Sequence, residues 1–320
     1  MYSDTENRKI VCVVGPTACH KTETAVLLAK RLCGEVVSAD SVQVYRGMDI
    51  GSAKPTIEER GGIPHHLIDC VDIDDADFSV SRFREMAKAA IDDIHARGKA
   101  AIVVGGSGLY VQSLVNPLNF AIPSDPEIRK QLNEAYDRSP EQLMEQLRAC
   151  DPRTGERLHI NDKKRIVRAL EVFEVGKKPL SSYGDDFRNE AGNRPMFDSV
   201  MVGLDMEREK LYERIEKRVD TMYRNGLAEE ARRIYGAGYS RTLPAMQSIG
   251  YRQLFSCFDG ECSIEEAVEQ IKTDTRHFAK RQLTWFRRDQ RIRWFDVTSY
   301  DECVLNEIYR YAEEQYYADI

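Results

Sequence analysis

The feature that most restricts how this chain can fold is the sequence VCVVGPTACHKT at residues 11–22. A short apolar run stops at a Gly-Pro turn, and a Lys-Thr pair then opens an amphipathic segment. This order predicts a buried strand, a loop whose backbone N–H groups point inward, and the positive end of a helix dipole. In such loops the lysine, here Lys21, reaches phosphate oxygens, and the next hydroxyl, here Thr22, binds Mg²⁺. The residues predicted to bind a diphosphate or triphosphate are Gly15, Pro16, Thr17, Ala18, Cys19, His20, Lys21 and Thr22.

One residue of this loop departs from the usual pattern. The sequence G-x-x-x-x-G-K-[ST] has glycine where this chain has His20. Glycine serves where φ is positive or where backbone touches a ligand. A histidine enters that region at a cost of about 1 kcal/mol. We expect the imidazole either to crowd the phosphate or to contact it as a partly protonated ring, with more effect on catalytic efficiency than on the fold.

Apolar, β-rich runs with little polar alternation recur along the chain, at residues 10–14, 35–39, 66–70, 101–104 and 199–204. Parallel strands that are covered on both faces have this composition. Helical patterns lie between the runs, and residues 79–96 predict a helix that Gly98 ends. The alternation predicts an α/β fold with a doubly wound parallel sheet and a ligand site at the loop after the first strand.

The alternation breaks between the fourth and fifth runs. Residues 118–196 are mostly helical in pattern and strongly charged, which predicts an inserted lid or clamp. The core domain then consists of residues 1–117 and 197–320. From residue 206 to the end the pattern is helical, and Leu211, Ile215 and Val219 mark one buried stripe.

The composition favours an ordinary globular protein, since 42% of the residues are apolar and 31% are charged. No apolar run reaches the roughly 18 residues of a membrane span. The polar start of the chain leads directly into a strand, so we expect neither a signal peptide nor a membrane partner. The eight cysteines form no C-x-x-C pair, and Cys257 and Cys262 lack a histidine at zinc-finger spacing. We expect reduced thiols and a cytoplasmic location.

The charge is unevenly distributed. The net charge is −7, yet residues 272–293 hold eight Lys and Arg against two Asp. A basic stripe on an acidic body can bind an anionic polymer in one orientation. Within it, Phe278 and Trp285 share one helical face and Arg276, Lys280 and Arg287 share another. We expect Trp285 to anchor the helix in the core and the basic stripe to contact nucleic acid.

Polar residues follow the second and fourth predicted strands, at the sheet edge where ligands of such folds bind. The carboxylate of Asp40 can take a proton from a nucleophile or help to hold Mg²⁺, although aspartates in this position also serve as turn or helix caps. Gly105, Gly106 and Gly108 let backbone approach a ligand, and Ser107 adds a hydroxyl. A tight turn explains the same glycines equally well.

A pair of arginines lies in the predicted insertion. Arg165 and Arg168 are three residues apart and share one helix face. Such a pair can neutralise a leaving diphosphate, but a solvated basic face has the same sequence.

Seven ordered motifs between about residues 9 and 295 together resemble those of the tRNA dimethylallyltransferases, also called tRNA isopentenyltransferases. They are GPTACHKT, DSVQVYRGMDIGSAKP, PHHLID, VVGGSGLY, LHINDKKRIVRALEV, SIGYRQ and FAKRQLTWFRRD. This family transfers a dimethylallyl group from dimethylallyl diphosphate to N6 of adenine 37, beside the tRNA anticodon, and uses Mg²⁺. The resemblance implies a P-loop kinase-like core and a helical insertion that clamps the anticodon stem-loop. Without the C-terminal zinc finger of the eukaryotic members, the chain resembles the bacterial type, which we expect to be monomeric.

The resemblance also implies roles for single residues. Asp40 matches the general base, Ser107 stands where the family usually has threonine and would orient or relay the proton, and Lys21 would act on the diphosphate. Arg168 falls on a segment that contacts both tRNA and diphosphate. The implied tRNA contacts are Asp40, Ser41, Val42, Gln43, Ser107, Arg129, Lys164, Arg165, Arg168, Gly250, Tyr251, Arg252, Lys280, Arg281 and Arg287.

Three other functions stay open at this point. An adenylate isopentenyltransferase acts on free AMP, ADP or ATP and needs neither the basic stripe nor a long clamp. A nucleoside or nucleotide kinase would need only the ATP-binding loop. An RNA-binding protein with a decayed loop is compatible with His20.

Overall fold

The computed structural model describes residues 9–116, 122, 124–183 and 195–318 of the chain. They group into two compact units, Met1–Val115 with Pro195–Ile320, and Asn116–Arg194. The predicted boundary between residues 117 and 118 lies outside the described residues. None of the described helices combines the length and the apolar character that crossing a bilayer requires.

The first unit contains a parallel sheet whose strands, in the described residues, have the spatial order β3-β2-β4-β1-β5-β6. The strands are β1 Lys9–Val14, β2 Glu35–Ser38, β3 His65–His66, β4 Ala101–Gly105, β5 Asp198–Asp205 and β6 Arg293–Asp296. Each neighbouring pair is parallel. This confirms the predicted α/β class and the doubly wound parallel sheet.

Helices connect and extend these strands. They are α1 Lys21–Arg31, α2 Ile57–Arg60, α3 Val80–Ala96, α4 Gly108–Val115, α5 Pro126–Arg138, α6 Pro140–Cys150, α7 Pro152–Arg157, α8 Lys163–Gly176, α9 Arg208–Arg224, α10 Leu227–Gly236, α11 Tyr251–Phe258, α12 Ile264–Phe286 and α13 Glu302–Tyr317. Short 3₁₀ helices occupy Leu180–Tyr183 and Ala245–Gln247. The helices α5 to α8 belong to the second unit, and the others belong to the first.

The central strand β1 shows why the apolar runs lack alternation. Ile10 and Cys12 belong to one hydrophobic cluster, whereas Val11 and Val13 belong to another. Successive side chains of a strand point to opposite faces, so each cluster covers one face of the sheet. All four residues are fully buried. Because helices cover both faces, no position of the strand can be polar without a buried partner.

Two strand predictions were wrong in part. Residues 67–70 do not continue β3, because Leu67 and Asp69 have φ values of 60° and 54°, which end an extended chain. The short strand β6 lies in a segment predicted to be helical. It pairs with β5 at the sheet edge, where Phe295 is buried while Arg293 and Asp296 are exposed. Its charged residues hid the strand in the sequence.

The second unit has its own core. Buried apolar residues from α5, α6 and α8 form one cluster, centred on Leu147, Ile166 and Leu170. Asp125 caps α5 by accepting hydrogen bonds from the N–H groups of residues 127 and 128, and Asp151 caps α7 in the same way. These caps and the cluster explain why residues 126–176 fold as helices.

Candidate active site

A cavity of about 760 Å³ lies where β1, β2 and β4 end, with all of its lining residues in the first unit. Residues 17–23 of the loop and helix after β1 form one wall. Asp40 after β2, Gly105 at the end of β4 and Gly106 after it also line the cavity, together with side chains from α9 and α12 and parts of residues 52–61. Ligands of open parallel sheets bind at this edge, so the cavity is the candidate active site.

The loop after β1 has the shape of an anion-binding loop. Ala18 and His20 have φ values of 64° and 61°, and successive N–H groups in such turns face a common concavity. The Lys21 Nζ donates a hydrogen bond of 2.5 Å to the carbonyl of Pro16. Burial lowers the pKa of Lys21. An anion in the cavity would favour the charged lysine and offset that cost of burial.

The His20 ring lies at the cavity wall and is packed against the C-terminal segment. Its ring stacks on Tyr300, with centroids 3.7 Å apart and an interplanar angle of 11°. Its Nδ1 lies 3.0 Å from a carboxylate oxygen of Glu23. Burial lowers the pKa of His20, although the hydrogen bond with Glu23 acts in the opposite direction. The imidazole lines the cavity, but it is packed against protein on one face.

Two arginines that the sequence analysis missed face this loop. Leu211, Ile215 and Val219 bury one side of α9, and Arg214 and Arg218 lie on the adjoining side. The Nε of Arg214 donates to the carbonyl of Ala18 at 2.8 Å, and Arg218 lies 3.4 Å from the hydroxyl of Thr17. Each arginine directly precedes a residue of the buried stripe, a signal from which the pair could have been found.

Asp40 lies two residues after the C-terminal end of β2 and lines the cavity. Its Oδ1 accepts hydrogen bonds from the backbone N–H groups of Val42 and Gln43, at 2.9 and 3.3 Å. These bonds fix the carboxylate relative to the sheet edge. The Gln43 side chain donates to the carbonyls of Ser52 and Ala53, so it braces the following loop from inside the cavity wall.

The glycines after β4 make room for protein atoms rather than for a ligand alone. A Cβ at Gly105 would overlap the carbonyl of Ala39, one at Gly106 would overlap the Gln282 amide, and one at Gly108 would overlap the Trp285 ring. Packing against protein atoms therefore explains the three glycines, and Gly105 and Gly106 also line the cavity.

The hydroxyl of Ser107 joins the loops after β2 and β4. It accepts from the N–H of Ser41 at 3.0 Å and donates to the hydroxyl of Ser41 at 3.2 Å. A hydroxyl that is engaged in both directions holds a loop in place. The observed contacts of Ser107 therefore suit positioning of the Asp40 segment.

Gln282 of α12 is a third residue that the sequence analysis missed. Its Oε1 accepts from the N–H of Thr17 at 2.9 Å, and its Nε2 donates to the carbonyl of Gly106 at 3.0 Å. The side chain is buried. One partner is a donor and the other an acceptor, so the amide orientation is determined. Gln282 thus ties the loop after β1 to the loop after β4.

The segment around residue 250 serves the interior more than the surface. Tyr251 is fully buried, and its hydroxyl donates to Glu230 at 2.6 Å. The same carboxylate accepts from the N–H groups of Asp49, Ile50 and Gly51. The side chain of Tyr251 therefore fixes the glycine-bearing loop at residues 46–54.

Neighbours of Tyr251 differ in their exposure. Gly250 has a φ of 98° and begins α11, and its N–H donates to Gln253. Arg252 is exposed and pairs with Asp274 at 2.6 Å. Of the three residues, Arg252 presents a charged side chain at the surface.

The basic stripe of α12 is exposed only in its second half, at Lys280, Arg281 and Arg287, because Arg276 is half-buried and pairs with Glu216 at 2.6 Å. Lys280 and Arg287 line a second, smaller cavity of about 320 Å³. Arg287 also pairs with Asp205 at 2.6 Å, and the exposed Arg281 lies over the Phe278 ring. Trp285 is half-buried against the larger hydrophobic cluster, as expected.

The predicted arginines of the second unit form their own charge cluster. Arg129 and Arg168 both bind the fully buried Glu171, at 2.7 and 2.8 Å. Arg168 also donates to the carbonyl of Ile122. Arg165 is 69% exposed and pairs only with Asp162 among the described residues, while Lys164 is exposed beside it.

Comparison with known proteins gives one consistent result. The model of the IPP transferase family matches residues 43–289. The chain is 47% identical to tRNA dimethylallyltransferase 2 of Geotalea daltonii over 310 residues, covering 96% of this chain and 94% of the relative. It is 45% identical to the tRNA dimethylallyltransferase of Acetivibrio thermocellus, with 91% and 93% coverage.

Solved structures agree. The tRNA isopentenylpyrophosphate transferase of Bacillus halodurans has a TM-score of 0.73 and 40% identity, with 97% of both chains covered. A eukaryotic dimethylallyltransferase acting on tRNA has a TM-score of 0.80 and 30% identity, covering 95% of this chain and 77% of its own.

Proposed function

This chain belongs to the IPP transferase family, whose relatives include the tRNA dimethylallyltransferases, and we propose that it transfers a dimethylallyl group from dimethylallyl diphosphate to N6 of adenine 37 in tRNA. The observation that carries the proposal is the cavity, which combines an anion-binding loop with Lys21, Arg214 and Arg218 on one side and the Asp40 carboxylate on another. Such a site can hold a leaving anion and accept a proton from an incoming nucleophile.

The diphosphate is held by the loop after β1 and by cations from two helices. Lys21 comes from α1, and Arg214 and Arg218 come from α9. As the bond to the prenyl C1 breaks, negative charge grows on the leaving oxygen, and preorganised cations stabilise it without rearrangement. Lys21 and Arg218 are half-buried, which strengthens that effect because water competes less for their charges, whereas Arg214 is exposed.

The incoming nucleophile is the exocyclic amine of an adenine that is stacked in its loop, so the base must first be extruded. The N6–C1 bond then forms while the C1–O bond to diphosphate breaks. The proton that N6 loses passes to the Asp40 carboxylate, which two backbone N–H groups already orient. Ser107 positions this segment through Ser41.

The residues at this edge fit a Mg²⁺ ion. Thr22 and Asp40 bring a hydroxyl and a carboxylate, hard oxygen ligands that this ion prefers, to the same cavity. The described residues contain no group of three or more His, Cys, Asp or Glu side chains suited to a metal. Diphosphate oxygens and water would therefore complete the ligand set. When bound, the ion would offset charge on the leaving diphosphate, and Thr22 is our candidate to hold it.

The tRNA anticodon stem-loop is the proposed second substrate. The exposed cations Lys280, Arg281 and Arg287 of α12 suit contacts with phosphates. The helical second unit, with Lys164 and Arg165 exposed, is proposed to clamp the stem-loop. We expect a monomeric enzyme in the cytoplasm, where tRNA is modified.

The test is mass spectrometry of adenine 37 after unmodified tRNA is incubated with the protein, Mg²⁺ and dimethylallyl diphosphate. The proposal expects a mass gain on that base. Asp40→Asn should slow the transfer by about 10²–10⁴-fold, whereas the exposed control Asp74→Asn should not. An unchanged rate in Asp40→Asn would remove Asp40 from the mechanism.

The same assay separates the alternatives. Transfer to free AMP in preference to the stem-loop would indicate an adenylate isopentenyltransferase. ATP consumption with phosphoryl transfer, without uptake of the labelled prenyl donor, would indicate a kinase. Tight stem-loop binding with no product would indicate a non-catalytic RNA-binding protein.

A further inference from the structure

The contact between His20 and Tyr300 joins two parts of the chain that the sequence analysis did not connect. His20 stands in the anion-binding loop, where the sequence pattern has glycine. Tyr300 lies in the short link between β6 and α13. Their rings stack almost in parallel at 3.7 Å. The stack places an aromatic side chain of the C-terminal segment against the wall of the active site.

Both residues are anchored on their other sides. The His20 Nδ1 lies 3.0 Å from a carboxylate oxygen of Glu23. The Tyr300 hydroxyl lies 3.0 Å from the hydroxyl of Thr24, which is one helical turn after His20. Only 15% of the His20 side chain is exposed. The imidazole is therefore held by two contacts, the Tyr300 ring on one face and Glu23 at Nδ1.

The backbone explains why such support is needed. His20 and Tyr300 have φ values of 61° and 47°, both in the left-handed region that favours glycine. As the N-cap of α1, His20 makes no side-chain capping bond. A side-chain N-cap hydrogen bond therefore does not stabilise this conformation. The ring stack with Tyr300 is a favourable interaction that can offset the backbone strain.

We propose that Tyr300 is a positioning residue for diphosphate binding: it holds the His20 ring against the edge of the cavity and so allows a histidine to stand in the anion-binding loop. Without Tyr300 the imidazole loses its support, and its rotation toward the cavity competes with the diphosphate. Glycine at position 20 needs no such support. The inference rests on the proposed function only for the identity of the anion.

The test is a double-mutant cycle read by calorimetric binding of inorganic pyrophosphate and of dimethylallyl diphosphate. Tyr300→Ala should weaken binding by about 3- to 10-fold, the value of a lost aromatic pair. In the His20→Gly background the same change should alter binding by less than about twofold. Tyr300→Phe, which keeps the ring, should bind nearly as the original chain does.

Tyr317→Ala, an exposed tyrosine on α13, is the matched control, and thermal unfolding of every variant reports folding. Should Tyr300→Ala fail to fold, Tyr300→Leu replaces it in the cycle. Equal losses in both backgrounds, or no loss in either, would overturn the inference. Because the readout is binding, absence of prenyl transfer by the original chain would count against the proposed function alone.

Discussion

Two arginine pairs, one in each unit, show opposite charge environments. In the helical unit, Arg129 and Arg168 converge on the buried carboxylate of Glu171. In the sheet-containing unit, Arg214 and Arg218 contact a carbonyl and a hydroxyl of the anion-binding loop. Among the described residues, neither of the latter two forms an ion pair with a carboxylate.

The difference lies in what each pair can offer a ligand. In the helical unit the carboxylate of Glu171 cancels one of the two guanidinium charges and occupies donor groups of both arginines, so the pair offers a ligand less than two free guanidiniums would. A guanidinium at the cavity without such a partner favours the approach of an anion. Arg218 is half-buried, and the loss of water around its charge lowers its pKa. Arginine spacing in the sequence does not separate these cases, because it does not show the neighbouring carboxylate.

Among the changes that test this comparison of arginine pairs, the largest effect is expected at Arg218. Arg218→Gln should reduce kcat/KM for dimethylallyl diphosphate by about 10²–10³-fold, the loss typical of one preorganised donor at a developing charge. Steady-state kinetics and pyrophosphate affinity measure it. Arg224→Gln, an exposed arginine of the same helix, is the control. A loss below about threefold would show that the uncompensated arginine is not part of the anion site.

The second prediction concerns the paired arginines. Glu171→Gln should lower the free energy of unfolding by about 2 kcal/mol, because two guanidiniums would face a neutral amide. Chemical denaturation measures the change, and Glu141→Gln, an exposed glutamate of α6, is the control. Equal stabilities would indicate that the cluster does not support its unit.

The difference in unfolding free energy between the original chain and Glu171→Gln should depend on pH, and its direction follows from the pKa of Glu171. Burial alone would raise the pKa of Glu171, but hydrogen bonds from Arg168 and Arg129 outweigh it and lower the pKa. A carboxyl group with a depressed pKa stabilises the native state above its unfolded pKa, about 4.3, and loses that contribution as pH falls. The gap between the original chain and Glu171→Gln should therefore narrow below that pH.

The third prediction tests whether Lys21, Arg214 and Arg218 can bind diphosphate when Gln282 no longer joins the loops after β1 and β4. Gln282→Glu keeps the shape but sets a carboxylate oxygen against the Gly106 carbonyl, so diphosphate affinity should fall by about tenfold. Binding of pyrophosphate measures this, with Gln270→Glu on the exposed face of α12 as the control. Unchanged affinity would assign the anion site to the cations alone.

The smallest effect is expected at Arg165. Its exposed ion pair with Asp162 should contribute less than about 0.5 kcal/mol to stability, so Arg165→Gln should unfold like the original chain. If Arg165 contacts a tRNA phosphate, Arg165→Gln weakens stem-loop binding. It also reduces the slope of log affinity against log salt concentration by about one. An unaltered salt dependence would remove Arg165 from the proposed RNA surface.

Much of the fold followed from local patterns. The strand, loop and helix around residues 9–31 lie close to where the sequence predicted them, because apolar runs and a helix start are encoded by adjacent residues. The strand β6 was missed, since an edge strand buries few side chains. The sequence could not decide between ligand approach and a tight turn for Gly105, Gly106 and Gly108, because two of the residues that fill their space, Gln282 and Trp285, lie far along the chain.

The sequence by itself determined the parallel sheet, the order of strand, loop and helix around residues 9–31, and the family, since each depends on residue types at short and fixed spacings. Only the tertiary structure decided which cations face the cavity and where the His20 ring rests. Gln282 meets Thr17 across 265 residues, and Arg214 meets Ala18 across 196. Contacts between residues so far apart in the sequence depend on how the helices pack on the sheet, and the local periodicity of the sequence does not predict them.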